Sequence, residues 1–307
     1  MELVRGLVNI TEQHKNCVLT IGNFDGVHIG HQSVLNKLKQ VARELGVPSA
    51  VMIFEPQPQE VFLKENAAAR VLTFRDKFEK LSQFGIDRLI CVRFNPEFAA
   101  MSAEDFIEDL LVNRLGVKHL IVGDDFRFGS KRRGDFTLLS EGAKKFGFSV
   151  QDSQTLKYSN ERASSTEVRR YLSESRFECA KDLLSEPFKF HGKVIHGEKN
   201  GRKFGFPTAN IAVKRNVLPI KGVFAVKATI KGQELFGVAN IGNKPTLNGV
   251  KPVLEVHLFN FAQDIYGQRL SIEPLFKIRD EQKFSSVEQL IQQIEADVKS
   301  AKAALFQ

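Results

Sequence analysis

The sequence predicts a doubly wound α/β domain followed by a small antiparallel β-barrel that ends in a C-terminal helix. Its 307 residues exceed what one core usually holds, since cores stop growing near about 250 residues. From Val18 to about Leu184, apolar strand-like runs alternate with segments of helical period, the pattern of a parallel sheet covered on both faces. After Glu186-Pro187 the texture changes to short β-rich runs punctuated by glycine and proline. The expected domains are therefore 1-185, Rossmann-like, and 186-307, a barrel.

In the first domain, Val18 to Ile21, Ala50 to Phe54, Leu89 to Phe94 and Leu120 to Val122 read as strands. Between them Val34, Leu35, Leu38, Val41 and Leu45 recur at helical spacing, and Gly46 supplies the stop. Ser102 can cap a further helix carrying Phe106, Leu110 and Leu111 before Gly116. In the second domain the strand-like runs are Lys193 to Ile195, Val223 to Ile230, Leu235 to Ile241, Val253 to Phe259 and Leu270 to Ile278. Ser285-Ser286-Val287-Glu288 has capping-box spacing ahead of Leu290, Ile291, Ile294, Val298 and Leu305, which mark the closing helix.

Composition narrows the function. No apolar run approaches the ~20 residues that span a bilayer, and Met1-Glu2-Leu3-Val4-Arg5 lacks the plan of a secretory signal. Cys17, Cys91 and Cys179 are odd in number and far apart, which offers neither a disulfide framework nor a metal knuckle and fits a reducing, cytoplasmic setting. A formal charge of +8 suits an anionic partner, although the densest basic cluster, Lys131-Arg132-Arg133, reads equally as a solvated loop.

The first chemical motif is Gly22-Asn23-Phe24-Asp25-Gly26-Val27-His28-Ile29-Gly30-His31, between a strand and a helix. Glycines let a backbone turn sharply towards a ligand, and a helix N-terminus offers free N–H groups and partial positive charge to an anion. His28 and His31, three apart, can grip a polyphosphate from one side. Asp25-x-x-His28-x-x-His31 as a metal site is the competing reading. Ser164-Ser165-Thr166-Glu167-Val168-Arg169 adds a second helix start whose hydroxyls and Arg169 could complete a phosphate clamp.

The second motif runs from Gly197 to Ile211 and includes Gly201, Arg202, Gly205, Phe206, Pro207, Thr208 and Asn210. Such a loop can wrap a phosphate with backbone N–H groups, while the Thr208 hydroxyl and the Asn210 carbonyl are hard oxygen ligands suited to Mg²⁺. An extended stretch puts those two on one face. A glycine-rich hairpin without function is the plain alternative, and no Gly-x-x-x-x-Gly-Lys-Ser/Thr loop is present.

The Gly22–His31 decamer closely resembles the signature of the nucleotidyltransferase superfamily. Gly-Arg-x-x-Gly-Phe-Pro-Thr-Ala-Asn-Ile, from Gly201, is similar to that of riboflavin kinases. Together they resemble the bifunctional bacterial riboflavin kinase/FAD synthetase (FMN adenylyltransferase) family, over nearly the whole chain. The resemblance implies phosphorylation of riboflavin to FMN in the barrel and adenylylation of FMN to FAD in the first domain, both with MgATP. It places the kinase base on Glu255, with Arg279 beside the flavin and ATP on Gly197, Gly201, Arg202, Gly205, Phe206, Pro207, Thr208 and Asn210. In the adenylyltransferase it places ATP on Gly22, Asn23, Phe24, Asp25, Gly26, His28, Gly30, His31, Asp125, Ser164, Ser165, Thr166 and Arg169, and FMN on Phe54, Pro56, Pro58, Phe62, Phe126 and Arg127. The family pattern usually has His where Gln57 stands and Lys-Gly where Ser130-Lys131 stand. Periodicity alone leaves Glu255 open between a base and a solvent-facing strand residue, and the aromatics open to plain core packing. A basic barrel acting on RNA is the competing class. It is disfavoured because Thr208, Asn210 and Glu255 form a metal-and-base set that RNA binding does not need, so neither nucleic acid nor membrane is an expected partner.

Overall fold

The computed structural model describes residues 1–123, 125–153, 157–158, 161–197, 201, 204–246 and 249–306. It divides into two compact units, Met1–Ala68 with Phe74–Ser165, and Ala69–Thr73 with Thr166–Gln307.

The first unit is built on β1 (Glu2–Arg5), β2 (Val18–Ile21), β3 (Ser49–Glu55), β4 (Arg88–Arg93), β5 (His119–Gly123) and β6 (Ser149–Ser153), in the order β1-β4-β3-β2-β5-β6. Every pairing in this sheet is parallel. β2 is buried along its whole length, as a central strand covered on both faces must be. Helix α1 (Ile29–Leu45) buries Leu35, Leu38, Val41 and Ala42, and Gly46 ends it with φ 64°. The unit also holds α2 (Pro58–Leu63), α3 (Phe74–Gln83), α4 (Pro96–Ala99), α5 (Ala103–Asp105) and α6 (Phe136–Phe146). Ser102 caps α5, its Oγ accepting from Asp105 N at 2.9 Å, and the chain continues as a π-helix over Phe106–Arg114 that buries Phe106, Ile107, Leu110 and Leu111.

The second unit opens with α7 (Ser165–Ser173, its first residue still in the first unit) and α8 (Phe177–Leu184). Phe177 of α8 packs edge-on to Phe224 at 6.0 Å. A closed barrel follows: β9 (Phe190–Ile195), β10 (Ala209–Ile211), β11 (Gly222–Ile230), β12 (Gln233–Thr246), β13 (Gly249–Leu258) and β14 (Arg269–Arg279), in the order β10-β13-β12-β11-β14-β9. Helix α9 (Val287–Leu305) packs Val298, Ala301 and Leu305 against Val223, Ala225 and Val238. Ser286, not Ser285, is its N-cap, accepting from Gln289 N at 3.3 Å. Ser285 instead donates its hydroxyl to Gln289 Oε1 at 2.9 Å.

Candidate functional sites

The Gly22–His28 loop leaves the carboxyl end of β2, and His28 is the N-cap of α1. β2 lies between β3 and β5, so the loop opens where the connections diverge to opposite sides of the sheet, the place where open α/β sheets bind ligands. The turn is tight: Phe24, Gly26 and Val27 have φ of 47°, 94° and 46°. For β-branched Val27 that conformation is strained, and it persists because Phe24, Asp25 and Val27 are all buried. Ser165 Oγ donates to the Asp25 carbonyl at 2.7 Å. At Gly30 a Cβ would come within 3.1 Å of both the Ala163 carbonyl and the His28 ring, a tight contact that glycine avoids.

His28 and His31 stack with centroids 3.7 Å apart and planes 26° off parallel, and Phe24 tilts against His31 at 4.8 Å. Stacked imidazoles keep their lone pairs in two nearly parallel planes, whereas one shared metal ion needs them to converge. Among the described residues no group of three or more His, Cys, Asp or Glu side chains is arranged to hold a metal. Burial, then the neighbouring His28, Lys77 and Lys80, hold the His31 pKa well below its ordinary value. His31 is half-buried, and its Nδ1 is enclosed with no hydrogen-bond partner among the described residues. The N–H of a neutral imidazole can donate to a phosphate oxygen.

Around this loop the sheet's carboxyl edge carries aromatics. Phe54, Phe62, Phe94 and Phe98 meet in a chain, with Phe54 at 5.8 Å from Phe94 and 5.6 Å from Phe98, and Phe62 at 5.7 Å from Phe94. Phe62 leaves 65% of its surface exposed, a high share for so large an apolar ring. Pro58 opens α2 at its first turn, and Pro56 precedes it in an exposed position. Gln57 is fully buried, with Oε1 accepting from Gln59 at 3.1 Å. Phe126 stacks on Phe128 at 5.6 Å, Arg127 is exposed, and Asp125 pairs with Arg162 at 3.2 Å. The second unit takes Thr166 and Arg169, whose Nε donates to the Ala69 carbonyl at 2.6 Å.

In the second unit the register does the assembling. Glu255 on β13 pairs with Asn210 on β10 and with Asn240 on β12, which sets the three side chains in a row on one face. Thr208 and His257, two residues from Asn210 and Glu255, continue that face. A cavity of about 520 Å³ opens there, lined by Gly201, Thr208, Asn210, Asn240, Glu255, His257 and Arg279, with Phe284 and α9 on its far wall. Thr208 also lines a neighbouring cavity of about 620 Å³ that contains His196, Asp264 and Tyr266. Two glycines before β10 sit in close contact: a Cβ on Gly201 would strike the Phe206 carbonyl, and one on Gly197 the Asn210 side-chain amide. Gly205 turns with φ 85°, Phe206 meets His257 edge-on, and the Pro207 carbonyl lies 3.0 Å from His257 Nδ1. Arg202 lies outside the described residues.

Arg279 reaches this cavity with its guanidinium committed. Nε and Nη2 both donate to the Asp297 carboxylate, the latter at 2.8 Å, and Asp297 is buried on α9. This bidentate pair pins the closing helix beside the cavity. Asp297→Asn should lower unfolding free energy by about 2 to 3 kcal/mol in urea titration, less than for a fully buried pair because Arg279 keeps 15% of its side chain exposed. An unchanged midpoint would show that α9 is held by its apolar face alone.

Sequence reasoning passed over Lys77 and Lys80 on α3 and the aromatics Phe94 and Phe98. In the barrel it passed over Asn240 and His257 as cavity residues, although the period-two spacing from Glu255 to His257 carried that signal.

The FAD synthetase family model matches residues 10–167 and the riboflavin kinase model residues 184–305. Similar curated proteins are named bifunctional riboflavin kinase/FMN adenylyltransferase. That of Haemophilus influenzae is 51% identical, covering 99% of each chain, and that of Escherichia coli K12 is 46% identical, covering 98% and 97%. A crystal structure from Streptococcus pneumoniae, described as a macrolide-efflux protein, superimposes over 100% of both chains with a TM-score of 0.80 at 28% identity. In the present chain, among the described residues, no helix is long and apolar enough to cross a membrane. The chain belongs to the bifunctional riboflavin kinase/FMN adenylyltransferase family, enzymes that make FMN from riboflavin and FAD from FMN.

Proposed function

We propose that riboflavin is phosphorylated at the Thr208–Asn210–Glu255 face of the barrel and that FMN is adenylylated at the Gly22–His31 loop. The observation that carries the first assignment is the cross-strand row Asn210, Glu255 and Asn240 inside one cavity. Because Thr208 lines both adjoining cavities, one has room for the flavin and the other for the nucleotide, with the transferred phosphoryl group between them. Glu255 accepts the proton of the riboflavin 5′-hydroxyl as it attacks the γ-phosphate. Arg279 and His257 shape the flavin side. Gly197, Gly201, Arg202, Gly205, Phe206 and Pro207 wrap the phosphates.

Thr208 and Asn210 fit Mg²⁺, which takes hard oxygen ligands and keeps positions for phosphate oxygens. The ion would neutralise charge developing on the transferred group.

In the first unit the nucleophile is the FMN phosphate, largely dianionic near neutrality because its second pKa is about 6. No general base is needed there. His28 and His31 align and stabilise the triphosphate, with Ser164 and Ser165 as further phosphate contacts and Asp125 nearer the adenosine. Phe54, Pro56, Pro58, Phe62, Phe126 and Arg127 receive FMN. The reading implies small-molecule partners only and a cytoplasmic location.

We further propose the functional boundary between 185 and 186, supported by a kinase match that begins at residue 184. A fragment from Glu186 to Gln307, incubated with riboflavin and MgATP, should yield FMN and no FAD on chromatography. A longer fragment from Thr166 should melt higher, because it keeps the packing of Phe177 on Phe224. A folded fragment without kinase activity would overturn the assignment of this site.

A further inference from the structure

Helix α3 inverts the usual rule for a surface helix. Its buried residues are Asp76, Lys77, Lys80 and Leu81, so two lysines lie on the inward face. Lys77 is fully buried and Lys80 is 9% exposed. Lysine is almost never buried unless it is paired, because removing an ammonium from water is costly. Both side chains reach the same short loop: Lys77 Nζ donates to the Asn23 carbonyl at 2.5 Å and Lys80 Nζ to the Gly26 carbonyl at 3.3 Å.

These two carbonyls belong to the peptide groups that precede Phe24 and Val27, the two non-glycine residues with left-handed φ in the loop. In a planar trans peptide the C=O and the following N–H point in opposite directions. Fixing Asn23 C=O and Gly26 C=O on the α3 side therefore turns the N–H groups of Phe24 and Val27 away from α3. Among the described residues neither N–H has a backbone acceptor. Backbone N–H groups turned to one side of a loop can line a concavity for anions.

We propose that Lys77 and Lys80 are positioning residues of the adenylyltransferase site: from beneath the loop they hold its strained backbone so that the N–H groups of Phe24 and Val27 face the nucleotide triphosphate. The inference rests on the reading of this loop as the triphosphate site. The lysines touch the loop backbone and act through it.

The test uses the full-length protein with Lys77→Met and Lys80→Met, which keep the apolar stem and remove the donor. Lys80→Arg, which retains a donor, is the conservative comparison. FAD formation from FMN is measured with ATP and with FMN varied in turn, beside pyrophosphate binding by calorimetry and FMN formation from riboflavin. The expected result is a loss on the order of 10²-fold in kcat/KM for ATP and roughly ten-fold weaker pyrophosphate binding. KM for FMN and the kinase rate should stay unchanged, and Lys80→Arg should recover most of the loss. Parallel falls in both activities with a rise in KM for FMN, or no fall at all, would overturn the proposal. Should Lys77→Met fail to fold, the Lys80 pair decides. Retention of FAD formation in His28→Ala and His31→Ala would instead sink the reading of the loop itself, whereas loss there with full activity in the lysine variants would sink only this inference.

Discussion

Glu255→Gln is expected to lower riboflavin phosphorylation by about 10² to 10⁴, with little change in riboflavin or ATP binding. The substitution keeps the shape of the side chain and its place between Asn210 and Asn240, so the strand pairing should survive. What disappears is the basicity that accepts the hydroxyl proton. A solvent-facing strand residue would behave differently, costing under about 0.5 kcal/mol in stability and nothing in turnover. The other unit supplies an internal control in the same tube, since FMN added directly needs no base to become FAD. A variant that converts FMN at the parent rate and stalls on riboflavin supports the role; equal relative turnover with both substrates removes Glu255 from the mechanism.

The same residue shows what a sequence can carry. Along β13 the alternation places Glu255 and His257 on one face, but alternation says nothing of which strands lie alongside. That Asn210 and Asn240 flank Glu255 depends on β13 lying between β10 and β12, and β10 has only three residues, too few for a periodic signal. In the α/β half, buried strands such as β2 are continuous apolar runs and stand out. Helix α3 carries Phe74, Phe78 and Leu81 at helical spacing, but that period does not mark Asp76, Lys77 and Lys80 as buried. Helices α7 and α8 have a clear period, yet period alone does not say which core a helix covers. The glycines and histidines from Gly22 to His31 were legible because the turn, the helix start and the paired imidazoles fall within ten consecutive residues. The lysines beneath them come from residues 77 and 80, and only the fold brings them to the loop.

His28→Ala and His31→Ala should each depress FAD formation from FMN on the order of 10²-fold while sparing FMN formation from riboflavin, as expected for removal of one preorganised donor. The two losses should not multiply. The rings stack at 3.7 Å, so truncating either one frees the other to move, and the double variant should fall short of the product of the single effects. Because the FMN phosphate is already charged near pH 7, neither histidine has to act as a base, and the losses should persist at pH 8, where a lost general base would be partly replaced by hydroxide. Unchanged adenylylation in both variants would refute the phosphate clamp. Stoichiometric Zn²⁺ bound tightly to the parent protein and lost in both variants would favour the Asp25–His28–His31 metal site instead, against the nearly parallel planes of the two imidazoles.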